Sequence, residues 1–170
     1  MANITLYSLS DYNAGNLIPF SIDLDSVDSR EEYLEIIAVN LKGIDKEQGN
    51  DIYIPKREEW IVSDYEGIPG NFVGEYDIDA SYWDVKEFMS TTYLDLEVIL
   101  TGIDCDISLE NIEEAYCGQH DCDKDFVEQM IDDCGDLPDL PSFIHIDWTS
   151  TARDVMMDYS EHDGHYFRNF

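Results

Sequence analysis

The sequence predicts an α+β fold, and three observations carry the prediction. Apolar residues alternate with period two near both ends of the chain, apolar residues recur at helical spacing between them, and turn-forming residues punctuate both patterns. The 170 residues include 39 acids and 9 bases, for a formal net charge of -30. Such acidity on its own suggests disorder, but 44% hydrophobic and 12% aromatic residues are enough to build cores. Length allows one ordinary domain or two or three small ones.

The elements follow in order. "NITLYSLS" reads as a strand with Ile4, Leu6 and Ser8 on one face, and "YNAGN" (Tyr12 to Asn16) as a turn. "LIPFSID" is the returning strand, with Pro19 favouring an edge. "DSREEYLEIIAVNLKG" is helical: Ser29 and Glu32 make a capping-box pattern, Tyr33, Ile36, Ile37 and Leu41 a buried stripe, and Gly43 a stop. "DIYI" and "EWIVSDYE" read as short strands, which completes a small α+β unit. The centre is helical. "SYWDVKEFMSTTYLDLEVILTG" predicts two short helices, with Tyr82, Val85, Phe88 and Met89 facing one way and Tyr93, Leu96 and Leu100 following. "SLENIEEAYCG" predicts a third, with Ile112, Ala115 and Tyr116 inward and Gly118 at its end. "DKDFVEQMIDDCG" predicts a fourth, with Phe126, Val127, Met130, Ile131 and Cys134 inward and Gly135 at its end. "DLPDLPSF" (Asp136 to Phe143) is linker-like, "DWTSTARDVMMDY" is one more helix, and "EHDGHYFRNF" is a hairpin turning at Asp163-Gly164.

Charge is concentrated rather than spread. The net charge is -5 up to Arg57, -22 from Glu58 to Asp139, and -3 beyond. Only Lys86 and Lys124 interrupt the acids of the middle span. On the predicted helices the acids occupy the outer face, so they project as an exposed array. Self-repulsion on this scale costs stability, and the cost wants a functional reason.

Other chemistries fit poorly. Asp121 to Asp132 begins with Asp at alternate positions, but Phe126 stands where a calcium loop needs Gly and Asp132 where it needs Glu. The stretch from Asp77 fails likewise, with Tyr82 and Phe88 at those places. Cys117, His120 and Cys122 are close, but no second pair completes four zinc ligands. Cys105, Cys117, Cys122 and Cys134 are therefore expected to be core thiols in a reducing compartment. The N-terminus lacks a signal peptide's basic and apolar regions, and no apolar run is long enough for a membrane span. Phosphate-binding and hydrolase motifs are missing. His145, His162 and His165 fit surface or hairpin positions, although a Ser or Cys nucleophile beside one of them stays open.

The charge density has a physical counterpart. Duplex DNA carries one negative charge per roughly 1.7 Å of axis, so about 30 charges equal about 50 Å of duplex, and a dimer's 60 equal about 100 Å or about 30 base pairs. Fixed carboxylates can stand where phosphates stand and enter a groove lined with Lys and Arg.

The order of segments resembles that of the ArdA antirestriction proteins, acidic DNA mimics of phages, plasmids and conjugative transposons. "ITLYSLSDYNAGNLIPFSIDL" resembles the family's N-terminal strand, Tyr-Asn turn and strand, and "EEWIVSDYEGIP" its acid-aromatic signature ending in Asp-Tyr-Glu. "LENIEEAYCGQHDCDKDFVEQMIDDCGDLPDLPSFIHIDWTSTARDV" resembles its Glu-Ala-Tyr helix, acidic helix, Pro-containing linker and Ala-Arg-Asp segment, and "DGHYFRNF" its terminal hairpin. The stretch between Lys42 and Asp51 and "GIPGNFVGEYD" depart from it, and Trp148 stands where Tyr is common.

The resemblance implies an elongated chain of three small domains: an α+β N-terminal domain over 1–62, a helical middle over 63–104 and an α+β C-terminal domain over 105–170. It implies a homodimer in the host bacterial cytoplasm; the sequence does not place the dimer contact, for which an apolar patch in the second half is the expectation. It implies occupation of the DNA groove of type I restriction-modification enzymes, at the methyltransferase/specificity core, which protects incoming phage or mobile-element DNA. It implies no catalysis, no cofactor, no metal, no membrane and no direct nucleic acid binding. The expected phosphate mimics are Glu58, Glu59, Asp64, Glu66, Glu75, Asp77, Asp79, Asp84, Glu87, Glu110, Glu113, Glu114, Asp121, Asp123, Asp125, Glu128, Asp132, Asp133 and Asp136. Trp60, Tyr65, Tyr116, Phe126, Trp148 and Arg153 are expected to be structural, Arg153 in an internal ion pair with Asp147 or Asp154. A mimic directed at another defence or DNA-binding complex, such as a CRISPR effector, and an acidic adaptor for a basic protein are the alternatives.

Overall fold

Strand alternation at the N-terminus folds as it reads. In the computed structural model, which describes residues 1–50, 52–135, 141 and 143–170, Ile4, Leu6 and Ser8 of β1 (Asn3–Ser8) are all buried while their neighbours are half-exposed. β2 (Pro19–Asp23) and β3 (Trp60–Glu66) pair antiparallel on either side of β1, in the order β2-β1-β3. Pro19 therefore opens an edge strand, where its missing N–H costs no ladder bond. Between β1 and β2 lies a single turn, α1 (Leu9–Asn13), started by the Ser8 hydroxyl accepting from the Asp11 N–H. The expected turn is thus shortened to Ala14 and Gly15.

α2 (Arg30–Gln48) buries Tyr33, Ile37 and Leu41. Ser29 Oγ accepts from the Glu32 N–H at 3.2 Å, but the Glu32 carboxylate reaches the Asp28 N–H at 2.9 Å instead of closing the box on Ser29. Gly43 does not stop the helix; it ends at Gly49, whose φ of 71° favours glycine. The cause is distant in sequence. Arg57 Nη1 donates to the Asp45 carboxylate and to the Gly49 carbonyl, both at 2.9 Å, and so satisfies the end of α2 beyond Gly43. The same guanidinium grips Asp11 through Nε at 2.5 Å and Nη2 at 2.8 Å. Side-chain exposure is 1% for Arg57 and 0% for Asp11, so this is a buried pair. The strand expected at "DIYI" is overturned. Ile52 to Ile54 form a bend with Ile52 and Tyr53 exposed, because β1 is already paired on both edges and the chain turns toward the Arg57 anchor.

α3 (Ala80–Met89) buries Trp83 and Val85, while Met89, placed inward by periodicity, is exposed. The Trp83 ring packs 5.5 Å from Tyr33 and 5.2 Å from Tyr82, which rotates the buried face by one residue. Lys86 Nζ donates to the carbonyls of Leu24 and Val27. The described backbone groups into two compact units, Met1–Glu87 and Phe88–Phe170.

In the second unit, α4 (Leu96–Asp104) buries Val98 and Ile99; Tyr93, expected on its inner stripe, precedes the helix and is 76% exposed. The helix expected over "SLENIEEAYCG" shrinks to one turn, α5 (Ile112–Ala115), and the chain continues as β4 (Tyr116–Gln119). α6 (Asp123–Cys134) ends at Gly135 in the left-handed conformation, as expected. α7 (Trp148–Val155) follows, started by Asp147 accepting from the Ser150 N–H. β5 (Tyr159–His162) and β6 (His165–Arg168) form the expected hairpin, with positive φ at Asp163 and Gly164 as a type I′ turn requires. The sheet order is β4-β6-β5. Pairing with β6 is what converts Tyr116–Gln119 from helix to strand: Tyr116 lies opposite Phe167 and Gly118 opposite Tyr166, with a bulge between. Gly118, at φ 108°, serves that bulge and ends no helix. Phe126, Val127, Ala152 and Tyr166 form the core, with Met130, Ile131, Val155, Met156 and Tyr159 packed against it. The Phe126 and Tyr166 rings stack at 4.4 Å. The linker-like Asp136 to Phe143 falls largely outside the described residues. Among those described, no helix is long and apolar enough to cross a membrane.

Two predictions follow from the buried pair. Arg57→Met leaves the Asp11 carboxylate buried without its partner, at an expected cost of about 3–5 kcal/mol in urea unfolding. The Arg57 hydrogen bonds hold the Asp11 carboxyl below its ordinary value of 3.8. The stability this confers is present above 3.8 and lost as pH falls through the lower folded value. The urea midpoint of Asp11→Asn should therefore lie below that of the wild type at neutral pH and approach it in acid; a constant gap would contradict the assignment.

Candidate functional site

The outer faces of both units are acidic. Of the nineteen carboxylates expected to carry function, Asp136 lies outside the described residues, seventeen are exposed, and Asp77 alone is half-buried. On α6 the pattern is regular. Phe126, Val127, Met130 and Ile131 take the inner face, and Asp125, Glu128 and Asp132 form an outer stripe at helical spacing. With Asp123 and Asp133 the helix carries five carboxylates in 12 residues. At a rise of about 1.5 Å per residue, that is one per about 3.6 Å of helix.

Some of these acids also hold local structure. Asp77 pairs with Arg30 at 2.8 Å, and Glu58 with Lys56 at 2.5 Å. Asp79 accepts from the Ser81 N–H and hydroxyl just before α3, bonds that hold its carboxyl below the ordinary carboxylate range. Asp123 accepts from the Tyr166 hydroxyl at 2.9 Å; burial, then this bond, pushes the Tyr166 phenol up. Asp64 accepts from the Tyr65 N–H. By contrast Glu59, Glu66, Asp84, Glu110, Glu113, Glu114, Asp121, Asp125, Glu128, Asp132 and Asp133 have no basic group within ion-pair distance among the described residues. Of the two bases in the acidic span, Lys86 is engaged with backbone carbonyls, and only Lys124 is exposed. Asp95, Glu97, Asp104 and Asp106, left off the expected set, are exposed too. Their position around α4 was legible from its apolar spacing.

Two expectations are corrected. Cys117, Cys122 and Cys134 are exposed and Cys105 is half-buried, so the thiols are not core residues. Cys134 lies in the last turn of α6 and Cys122 at its N-cap, both past the packed face, and Cys117 falls on a strand rather than a helix. Arg153 meets Asp154 at 3.2 Å, but both side chains are about three-quarters exposed, so the pair is not internal. The internal pair is Arg57 with Asp11, which 46 residues separate and no local pattern marks. Of the expected structural aromatics, Phe126 is buried, Trp60, Tyr116 and Trp148 are half-buried, and Tyr65 is exposed. No metal-ligating cluster occurs among the described residues, and Asp123 and Asp125 sit within α6, where they cannot wrap a cation as a loop does.

The family model described as Antirestriction protein (ArdA) matches residues 6–168. The chain belongs to that family. No curated protein sequence matches it.

The uncompensated stripe makes a prediction about stability. Neutralising it with Asp125→Asn, Glu128→Gln and Asp132→Asn together should raise the urea midpoint at low salt, and the gain should vanish near 1 M salt, where the Debye length is about 3 Å. An equal gain at both salts would point to helix propensity rather than repulsion.

Proposed function

We propose that this member of the ArdA antirestriction family acts as a mimic of B-form DNA. It occupies the DNA groove of type I restriction-modification enzymes, at the methyltransferase/specificity core, and thereby shields incoming phage or mobile-element DNA. The reading includes a homodimer, the three-part division at 62/63 and 104/105, and no chemistry of its own. The observation that carries it is the acidic outer surface of α6. Counted over the whole helix, its five carboxylates come at one per about 3.6 Å of rise, close to the roughly 3.4 Å per charge along one DNA strand. Carboxylates fixed on a helix present that spacing without the mobility of long side chains. A groove evolved to release counterions from DNA would release them from this surface as well.

The test is competition. The purified protein is titrated against a long duplex bound to a type I methyltransferase core at two salt concentrations. Stoichiometric displacement that weakens as salt rises is expected. The α6 triple variant should displace less well at low salt and show a shallower salt dependence, because many weak charges share the binding. Absence of displacement by a folded sample at both salts would remove the type I assignment.

A further inference from the structure

The first unit contains a cleft of about 490 Å3 lined by Leu9, Glu58, Glu59, Trp60, Tyr76 and Asp77. That volume is within the usual range for small-ligand sites. Its walls are tied by backbone hydrogen bonds: the Leu9 N–H donates to the Glu59 carbonyl at 2.9 Å, and the Val62 N–H donates to the Glu75 carbonyl at 2.8 Å. The aromatic wall is therefore anchored on β3 at Trp60, while Tyr76 is exposed, with its phenol pushed up chiefly by a hydrogen bond to the Glu75 carboxylate.

The lining selects one kind of occupant. Three carboxylates repel any anion. The chain's own cations already engage two of them, Arg30 on Asp77 and Lys56 on Glu58. Glu59 has no cation among the described residues, although it is exposed beside two aromatic rings. A single free carboxylate is a poor site for a bare divalent ion, which needs several oxygens. A guanidinium uses everything present: its face stacks on Trp60 or Tyr76, and its planar fork donates two hydrogen bonds to Glu59. We infer that this cleft receives an arginine side chain of a partner protein. That the arginine belongs to the DNA groove of a restriction enzyme rests on the reading above; the guanidinium preference rests on the cleft alone. The contact is a point anchor, distinct in kind from the diffuse charge of α6, and it gives a mimic register as well as attraction.

Two measurements test it. The indole N–H resonances of the full chain, with Trp60 assigned from a Trp60→Phe variant, are followed during titration with N-acetyl-arginine methylamide and with the lysine and citrulline analogues. A saturable Trp60 shift with arginine that is weaker with lysine and missing with citrulline, and lost in Glu59→Gln, is expected. No shift, or an equal response to lysine or citrulline, overturns the assignment. In the duplex-displacement assay Tyr76→Ala should lose about tenfold in potency at both salts, since it removes no charge. Glu128→Gln, far along the sequence on α6, should change potency less than twofold. Equal effects of the two variants overturn the anchor. Failure of the wild type to displace duplex removes the type I reading and leaves the titration to decide the cleft.

Discussion

Like-charge repulsion is the constraint to which the rest of the molecule answers. With 39 acids and 9 bases, each base matters, and several are used internally. Arg57 is buried between Asp11 and Asp45, Lys86 is fastened to the carbonyls of Leu24 and Val27, and Arg30 holds Asp77. Cations that could have neutralised the surface act instead as fasteners between distant segments. The acids outside are left to repel, so folding must draw on packing.

That packing is aromatic in both units. Tyr33, Tyr82 and Trp83 pack ring to ring in the first, and Phe126, Tyr159 and Tyr166 in the second. Rings of this size bury much area per residue, and ring pairs contribute about 0.5–1.5 kcal/mol beyond that area. α6 shows how packing and repulsion coexist on one element. Its apolar face is committed to the core, which holds the carboxylates of the other face at fixed spacing in water. In the proposed function the repulsion is a reservoir: a basic groove relieves it on binding, and the protein tolerates lower stability when free.

How well the sequence could be read depended on how local the deciding interaction was. The Ser29 N-cap, the Asp163-Gly164 turn and the Gly135 stop involve residues within a few positions of one another, and each forms, although Glu32 does not close the capping box on Ser29. The Gly43 stop failed because Arg57 satisfies the helix end six residues further on. The helix over Tyr116–Gln119 failed because β6, nearly fifty residues away, offered an edge. The inward face of α3 was misjudged by one residue because Trp83 had a ring to meet at Tyr33. The exposure of the acids was more legible than the fold: a carboxylate without a buried partner stays in water wherever its backbone goes, so most of the expected acids are exposed.

By itself the sequence determined the α+β character, the acidity, its concentration after Arg57 and the family resemblance, because these depend on composition, short periodicities and motif order. Tertiary structure alone decided which base is buried, where α2 ends, that Tyr116–Gln119 is a strand, and that Glu59 lines a cleft together with Trp60 and Tyr76. The physical reason is range. Hydrophobic period and turn chemistry act over a few residues, whereas a buried ion pair, a strand partner or a cleft wall is chosen by whatever the fold brings alongside.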